Sequence, residues 1–225
     1  NDGTVTITVS GSTSVGPLME KIAEKYEEEN SNISIEINQT GSSAGIKDAM
    51  DGISQIGMSS RNLKDEEAAK VKATVLAYDG VAVITNTGNS VKELTIGQIR
   101  DIFTGKITNW SEVGGSNASI VVVSREAGSG TRTAFEEGVG YSEEELVKDA
   151  IISKGNGDVK TTVSTNENAI GFVSFEYVDD AISSINVNGI EPTAANVKAG
   201  SYALSRPFLA VTNEQYITED SQKLI

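Results

Sequence analysis

The sequence predicts an α/β fold with mainly parallel strands, and three observations support this. Short apolar runs alternate with segments whose apolar residues recur at helical spacing. Loops rich in glycine, serine and threonine join several of these runs to the helix that follows. No internal repeat, linker or low-complexity tract interrupts the order over 225 residues. A repeated strand-loop-helix order is typical of a sheet covered by helices.

The first 60 residues predict three strands and two helices. Apolar and polar residues alternate at 5–9 and at 33–37, and residues 56–60 form a shorter strand-like run. Residues 17–29 and 46–53 separate these runs and carry apolar residues at helical spacing. Strand and helix therefore alternate from the start of the chain.

The rest of the chain continues the pattern. An apolar stretch at 74–85 predicts a central strand, and residues 120–123 form the clearest buried strand. The remaining predicted elements are, in chain order, a helix at 94–103, a helix beginning near Thr131, a helix at 143–152, a strand at 169–175 and a last strand at 208–212. A chain of this length leaves one large domain and two small ones both open.

Composition excludes several classes of function. The formal net charge of -14 at pH 7 makes nucleic acid and anionic membrane surfaces poor partners. The sequence contains no uninterrupted apolar run of about 18 residues, the length needed to span a membrane. Histidine is absent, which removes the usual general base and the commonest metal ligand, so we expect no catalysis, metal or cofactor. Because the chain begins at Asn1 without methionine, we expect that a signal peptide has been removed.

Three loops share one design, in which an apolar strand leads through glycines and hydroxyl residues to a helix. They lie at 11–16, 41–45 and 128–131, and Arg125 and Arg132 flank the last of them. A helix N-terminus offers unpaired N–H groups and the positive end of the helix dipole, which suits an anion. Serine and threonine at one such position also occur simply as helix caps. Three such loops in one chain indicate a site for an oxyanion.

Two of these loops resemble catalytic motifs. Residues 41–45 satisfy the G-x-S-x-G pattern of a hydrolase nucleophile, but that chemistry needs a base, and only Lys47 is near in sequence. Residues 11–16 have the glycine spacing of a phosphate-binding P-loop, yet Pro17 and Leu18 stand where lysine and serine or threonine are required. A serine–lysine hydrolase is retained as an alternative, and nucleotide hydrolysis is not expected.

The same loops resemble a known family. The segments that carry the resemblance are Gly-Ser-Thr-Ser-Val-Gly-Pro-Leu at 11–18, Gly-Ser-Ser-Ala-Gly at 41–45, Ile-Gly-Met-Ser-Ser-Arg at 56–61, Ile-Phe-Thr-Gly-Lys-Ile-Thr-Asn-Trp at 102–110, Arg-Glu-Ala-Gly-Ser-Gly-Thr at 125–131 and Ala-Ile-Gly-Phe-Val at 169–173. Together they are similar to the phosphate-binding proteins of bacterial phosphate ABC transporters, the PstS type. The resemblance covers nearly the whole chain in the same order and spacing.

The resemblance implies a two-lobed periplasmic-binding-protein fold of type II, with a mainly parallel sheet and flanking helices in each lobe and the ligand in the cleft. We expect lobe I at 1–82 and 176–225 and lobe II at 83–175, with crossings near 81–86 and 172–175. The implied function is extracytoplasmic binding of inorganic phosphate and its delivery to the membrane permease of an ABC importer. The implied protein is a monomer, and either a Gram-positive cell-surface lipoprotein or a periplasmic protein.

The resemblance also implies the ligand-binding residues. In the first loop the implied phosphate contacts are Thr13 and the backbone N–H of Ser14. In the second loop the implied contact is the hydroxyl of Ser42. The further implied contacts are Ser60, Arg125, Ser129, Gly130 and Thr131. Neighbouring candidates are Ser12, Ser59, Arg61, Asp79 and Glu126. Trp110 is expected to pack in the core, because a tetrahedral oxyanion offers no ring for stacking.

One position departs from the family pattern. Better-known members carry an aspartate where this chain has Ser60, and a carboxylate there accepts a hydrogen bond from protonated phosphate and repels fully ionised sulfate. A serine can both accept and donate, so a binding protein for another tetrahedral oxyanion, such as sulfate, remains an alternative. Asp79 or Glu126 is a hypothetical replacement acceptor, although each could equally be a turn or loop residue. Arg61 and Arg132 could face the ligand or form surface ion pairs.

Overall fold

The computed structural model describes residues 3–225, which form two compact units. Unit 1 comprises the described residues up to Ala77 together with 128–130 and 207–225, and unit 2 comprises 78–127 and 131–206. The elements are β1 Val5–Gly11, α1 Gly16–Glu29, β2 Ile33–Gln39, α2 Ser42–Asp51, β3 Ile56–Ser59, α3 Asp65–Ala68, β4 Lys72–Thr85, β5 Glu93–Leu94, α4 Ile96–Phe103, β6 Val121–Arg125, α5 Gly130–Val139, β7 Ile151–Ser153, α6 Gly155–Thr165, β8 Ala169–Ser174, β9 Ser183–Ser184, β10 Asn186–Val187, α7 Ala194–Lys198, β11 Ser205–Thr212 and α8 Glu219–Leu224. The predicted α/β class is confirmed.

Unit 1 is built on strands in the order β2-β1-β3-β11. β1 pairs in parallel with both β2 and β3, and β11 runs antiparallel to β3. Successive residues of β11 belong to different apolar clusters: Phe208 and Ala210 pack with Met19 of α1, and Leu209 packs with Ile46 of α2. This sheet is therefore buried on both faces. Because the carboxyl ends of parallel strands share an edge, the loops after β1, β2 and β3 lie together.

Unit 2 has the strand order β4-β8-β6-β7, with β9 beside β4. β6 pairs in parallel with β7 and β8, and β4 runs antiparallel to β8 and β9. Its core is aromatic: the rings of Phe135 and Phe172 stack with centroids 4.0 Å apart, and Phe103 meets Phe135 edge-on at 4.8 Å. Trp110 is buried and its indole N–H donates to the carbonyl of Asn168 at 3.0 Å, so its expected packing role is confirmed.

The predicted helix at 143–152 is wrong. A single 3-10 turn, Glu143–Glu145, is followed by an extended Leu146 (φ -56°, ψ 133°). The N–H of Val147 donates to the carbonyl of Phe103 at 2.8 Å instead of continuing a helix. The segment then ends in β7, which pairs with β6. Pairing with a buried strand therefore outweighs the local helical pattern.

The compact units differ from the lobe bounds expected from sequence. The chain passes from one unit to the other within β4, after Ala77, and within β11, after Arg206. Residues 176–206, assigned from sequence to lobe I, belong to unit 2, because the chain leaving β8 returns to pair β9 with β4. The crossing expected near 172–175 is therefore not a boundary between units. No helix within residues 3–225 combines the length and apolar character needed to cross a membrane.

Candidate functional site

The loop after β1 is held by the hydroxyl of Ser12. Its Oγ accepts from the backbone N–H of Ser14 at 3.1 Å and of Val15 at 3.3 Å. Gly11 has φ +136°, and a Cβ there would lie 2.2 Å from the carbonyl oxygen of Met58, so only glycine fits. Ser12 therefore shapes the loop with its hydroxyl. The predicted ligand residues Thr13 and Ser14 occupy this turn just before α1.

The start of α2 brings two candidate hydroxyls together. Ser42, the first residue of the helix, and Ser60, the residue after β3, are both buried. Their Oγ atoms lie 3.2 Å apart, and the N–H of Ser60 donates to Ser42 Oγ at 3.0 Å. Gly41 precedes the helix with φ +101°, a backbone conformation that favours glycine. A buried polar pair thus lies at the carboxyl edge of the unit 1 sheet.

The 128–130 segment belongs to unit 1 and contacts this pair. The N–H of Ser43 donates to the carbonyl of Gly128 at 3.1 Å. A Cβ on Gly130 would lie 2.1 Å from Ser42 Oγ and 2.7 Å from Ser60 Oγ, so the Gly130 backbone lies directly against both hydroxyls. The structure therefore gathers three sequence-predicted ligand residues at one place in unit 1.

The three helices named in the sequence analysis have uncompensated N-termini. α1, α2 and α5 carry no acidic residue in the first turn, and α1 and α2 have no side-chain cap. By contrast, α3 and α8 begin with acidic residues. An acidic first turn would neutralise the positive end of the helix dipole and compete with an anionic ligand. The first turns of α1, α2 and α5 are thus suited to oxyanion binding.

Arg61 and Ser59 stabilise the turn after β3. The guanidinium of Arg61 is buried and donates to both carboxylate oxygens of Glu67, at 2.7 and 3.0 Å, and to Ser43 Oγ at 3.2 Å. Burial raises the pKa of Glu67, but the Arg61 hydrogen bonds and charge outweigh it and leave that pKa lowered. Ser59 Oγ donates to the carbonyl of Arg61 at 2.8 Å. The sequence left open whether Arg61 faces the ligand or forms an ion pair, and the structure shows an ion pair with Glu67.

Arg125 ends β6 in unit 2 and is paired with its neighbour. It is buried, and its Nε and Nη2 each donate to Glu126 at 2.8 Å. Glu126 also accepts from the backbone N–H of Gly155, the first residue of α6, at 3.2 Å. Burial raises the pKa of Glu126, but its hydrogen bonds and the charge of Arg125 outweigh burial and lower it. Glu126 is therefore the ionised partner that orients Arg125.

Replacing Glu126 with glutamine is expected to make the free energy of unfolding fall less steeply as the pH is lowered into the acidic range. A carboxyl group with a lowered pKa in the folded protein stabilises the fold above its unfolded pKa of about 4.3. That contribution is lost as the pH falls through the lower folded pKa. Urea unfolding over this acidic range measures the slope, with the exposed Glu24→Gln as a matched change of charge. Equal slopes in wild type and Glu126→Gln would contradict the assignment.

Asp79 belongs to a second buried ion pair in unit 2. Its Oδ2 accepts from Ser174 Oγ at 2.5 Å and from Arg206 at 3.3 Å. Arg206 also donates to Thr131 Oγ1 at 2.6 Å. Burial lowers the pKa of Arg206 to about 10, although Asp79 opposes this. Arg206 was missed from sequence, because it lies in a strand with no glycine-rich loop to mark it.

Arg132 forms ion pairs, one of the two roles that the sequence left open. Its Nε donates to Glu136 at 2.7 Å, one turn along α5, and Nη2 lies 3.5 Å from Glu143. Its Nη1 donates to the carbonyl of Arg125 at 3.0 Å, which supports the end of β6. No group of three or more acidic side chains arranged to hold a metal occurs within residues 3–225.

Comparison with known proteins identifies the family. A model of the PBP superfamily domain matches residues 1–223. The phosphate-binding protein PstS of Bacillus subtilis is 34% identical over 202 residues, which are 88% of this chain and 67% of that protein. This chain belongs to the PstS family within the PBP superfamily.

Solved structures related to this PstS-family chain agree in fold. A phosphate ABC transporter substrate-binding protein from Clostridium perfringens, with bound phosphate, is 56% identical with a TM-score of 0.96, over 98% of this chain and 91% of that one. An ABC-type phosphate transport receptor from Vibrio cholerae is 37% identical with a TM-score of 0.81, over 98% and 92% of the two chains. The periplasmic-binding-protein fold predicted by the resemblance is confirmed.

The ligand residues predicted from sequence occur in both compact units. Thr13, Ser14, Ser42, Ser60, Ser129 and Gly130 belong to unit 1, whereas Arg125 and Thr131 belong to unit 2. Within unit 1, Ser42, Ser60 and Gly130 are in direct proximity. Five further candidates form hydrogen bonds with other groups of the protein. They are Ser12, Ser59, Arg61, Asp79 and Glu126.

Proposed function

We propose that this chain binds inorganic phosphate outside the cytoplasm and delivers it to the membrane permease of a phosphate ABC importer, without performing chemistry on it. The proposed ligands are the residues named from sequence, with hydroxyl and backbone N–H donors in unit 1 and Arg125 and Thr131 in unit 2. The binding proteins to which the chain is similar are named for phosphate and for phosphate transport.

One observation carries the proposal: Ser42, Ser60 and Gly130 meet at the carboxyl ends of the parallel strands β2 and β3, beside the N-terminus of α2. Hydroxyl and N–H donors in a buried place bind an anion without needing an excess of positive charge, because their dipoles are little screened there. This accounts for anion binding by a chain whose net charge is -14.

The proposed contribution of unit 2 is a single buried cation and one hydroxyl. Arg125 is oriented by Glu126, which holds its Nε and Nη2. A charge-assisted hydrogen bond from guanidinium to phosphate is stronger than one between neutral groups. Thr131 would add its hydroxyl, which Arg206 holds in place.

Calorimetric titration tests the proposal. Protein unfolded and refolded to remove ligand is titrated with phosphate and with sulfate, on both sides of the second ionisation of phosphate. Saturable binding of one phosphate per chain is expected, with sulfate bound more weakly. Absence of phosphate binding under these conditions would refute the proposed function, and equal binding of both anions would leave a general oxyanion-binding protein.

Delivery and anchoring are proposed on the same basis. With the permease and ATPase subunits reconstituted in vesicles, phosphate-loaded protein should stimulate ATP hydrolysis, and a variant that cannot bind phosphate should not. We propose that the chain is a monomer outside the cytoplasm, anchored as a lipoprotein or released in a periplasm. A protein that binds phosphate but fails to stimulate the importer would instead be a phosphate sensor.

The alternative of a serine hydrolase has no supporting geometry. Ser43, the motif serine of residues 41–45, accepts from Arg61 and lies inside α2. Lys47, the candidate base, is exposed and paired with Asp51. Its hydrogen bond to Asp51, followed by the charge of Asp51, raises the Lys47 pKa, which opposes a role as a base. A fluorophosphonate probe is expected to leave the protein unlabelled.

A further inference from the structure

Ser42 and Ser60 form a buried hydroxyl pair whose hydrogen bonds can be enumerated. The two residues are 0% and 1% exposed. Their Oγ atoms are 3.2 Å apart, a distance at which either hydroxyl can donate to the other. The backbone N–H of Ser60 donates to Ser42 Oγ at 3.0 Å and occupies one of its lone pairs. These contacts lie within unit 1 and constrain what the pair can offer a ligand.

The pair has two hydroxyl hydrogens and uses one of them internally. A serine hydroxyl has one donor hydrogen and two acceptor lone pairs. If Ser60 donates to Ser42, both lone pairs of Ser42 are occupied, so Ser42 offers its hydrogen and Ser60 offers lone pairs. If Ser42 donates to Ser60, Ser60 offers its hydrogen and each of the two oxygens offers one lone pair. In both arrangements a ligand meets one donor hydrogen and at least one acceptor lone pair.

We propose, on the basis of the phosphate-binding function proposed above, that the Ser42–Ser60 pair accepts a hydrogen bond from the P–OH group of hydrogen phosphate while donating one to a second phosphate oxygen. The pair would thereby replace the missing carboxylate at position 60 and select phosphate over anions that carry no proton. Sulfate would place an oxygen lone pair against a hydroxyl lone pair, or would have to break the bond within the pair. Either arrangement leaves a buried polar group without a proper partner.

The position of the pair supports this role. The Gly130 backbone lies against both hydroxyls, since a Cβ there would lie 2.1 Å from Ser42 Oγ and 2.7 Å from Ser60 Oγ. Gly130 has no side chain to cover the pair, and it is itself one of the sequence-predicted phosphate contacts. A ligand bound at the Gly130 N–H would therefore be next to the two hydroxyls.

The carboxylates considered from sequence as proton acceptors already hold arginines. Both oxygens of Glu126 accept from Arg125, and its pKa is lowered although burial alone would raise it. Oδ2 of Asp79 accepts from Ser174 and from Arg206. A carboxylate whose oxygens already accept from a guanidinium has fewer lone pairs left to accept a hydrogen bond from a ligand.

Monofluorophosphate is the sharpest probe of the proposed role. It has the shape and charge of hydrogen phosphate, but fluorine replaces the hydroxyl, so it has no proton to donate. We expect wild type to bind phosphate about 10- to 100-fold more tightly than fluorophosphate or sulfate in calorimetric titrations. Equal affinities for phosphate and fluorophosphate in wild type would overturn the inference while leaving the proposed function intact.

Three substitutions assign the selectivity to the pair. Ser60→Ala removes one member, and we expect the ratio of phosphate to fluorophosphate affinity to fall about tenfold. Ser42→Ala keeps Ser60 but frees its hydrogen to donate to any anion, so the ratio should fall as well. Ser60→Asp restores a carboxylate acceptor, and the ratio should rise above that of wild type.

The matched control is Ser54→Ala, which breaks another buried serine pair in unit 1. Ser54 Oγ and Ser10 Oγ are 2.8 Å apart, and neither residue is a predicted ligand. The control should keep the wild-type ratio, and thermal melting checks that every variant is folded. An unchanged ratio in Ser60→Ala would overturn the inference. Failure of wild type to bind phosphate at all would instead refute the proposed function, and this inference with it.

Discussion

Replacing Gly130 with alanine is expected to weaken phosphate binding by about 100-fold or more. The added Cβ would lie 2.1 Å from Ser42 Oγ and 2.7 Å from both Ser42 Cβ and Ser60 Oγ. These distances are far inside van der Waals contact, so the serine pair or the start of α5 must move. The same substitution would displace the Gly130 N–H, a proposed phosphate donor. Calorimetric titration with phosphate measures the loss.

Gly157→Ala provides the control for this substitution. Gly157 lies in the first turn of α6, and a Cβ there would meet no atom within 4 Å. Alanine at that position should leave phosphate affinity unchanged and stabilise the helix slightly, because alanine has the higher helix propensity. A Gly130→Ala protein that binds phosphate within a few-fold of wild type would show that the Gly130 backbone is not part of the site.

Replacing Arg206 with methionine is expected to lower the free energy of unfolding by about 3–5 kcal/mol. Arg206 and Asp79 have side chains that are 1% and 15% exposed, and their charged atoms lie 3.3 Å apart. Removing only the cation leaves Asp79 as an uncompensated charge in the interior of unit 2. Thr131 Oγ1 loses the hydrogen bond from Arg206 in the same variant. Urea denaturation followed by circular dichroism measures the change.

A double variant separates buried charge from lost packing. Adding Asp79→Asn to Arg206→Met removes the uncompensated carboxylate, and part of the lost stability should return. Lys223→Met is the control for an exposed pair, because Lys223 and Glu219 are largely solvent-accessible, and the change there should be below about 1 kcal/mol. A loss of similar size in Arg206→Met and Lys223→Met would contradict the buried ion pair.

Helical segments show where local pattern suffices and where it fails. The helix predicted at 94–103 corresponds to α4, whose Thr95 cap and apolar face at Ile99 and Phe103 follow the expected spacing. α6 was not predicted, because Gly155 and Gly157 in its first turn have low helix propensity and weaken the helical pattern of the sequence. It forms because Val159 and Val163 pack on the unit 2 sheet, a contribution that only the folded chain reveals.

Candidate site residues divide in the same way. The loops at 11–16 and 41–45 were assigned to a helix N-terminus from glycine and hydroxyl residues alone, and α1 and α2 begin there. The roles of Ser12, Arg61 and Glu126 could not be read from sequence, because each depends on which partner lies within 3.3 Å or less in the fold. Ser12 holds its own loop, and the other two form ion pairs.

By itself the sequence determined the α/β class, the family and the loops that hold the proposed ligands. These are local properties: strand and helix periods, and the glycine and hydroxyl residues that a helix N-terminus requires. Tertiary structure decided the pairing of charges, such as Arg206 with Asp79, and the meeting of Ser42 with Ser60. Such contacts join residues far apart in the chain, and their partners are chosen by strand order and packing rather than by neighbouring sequence.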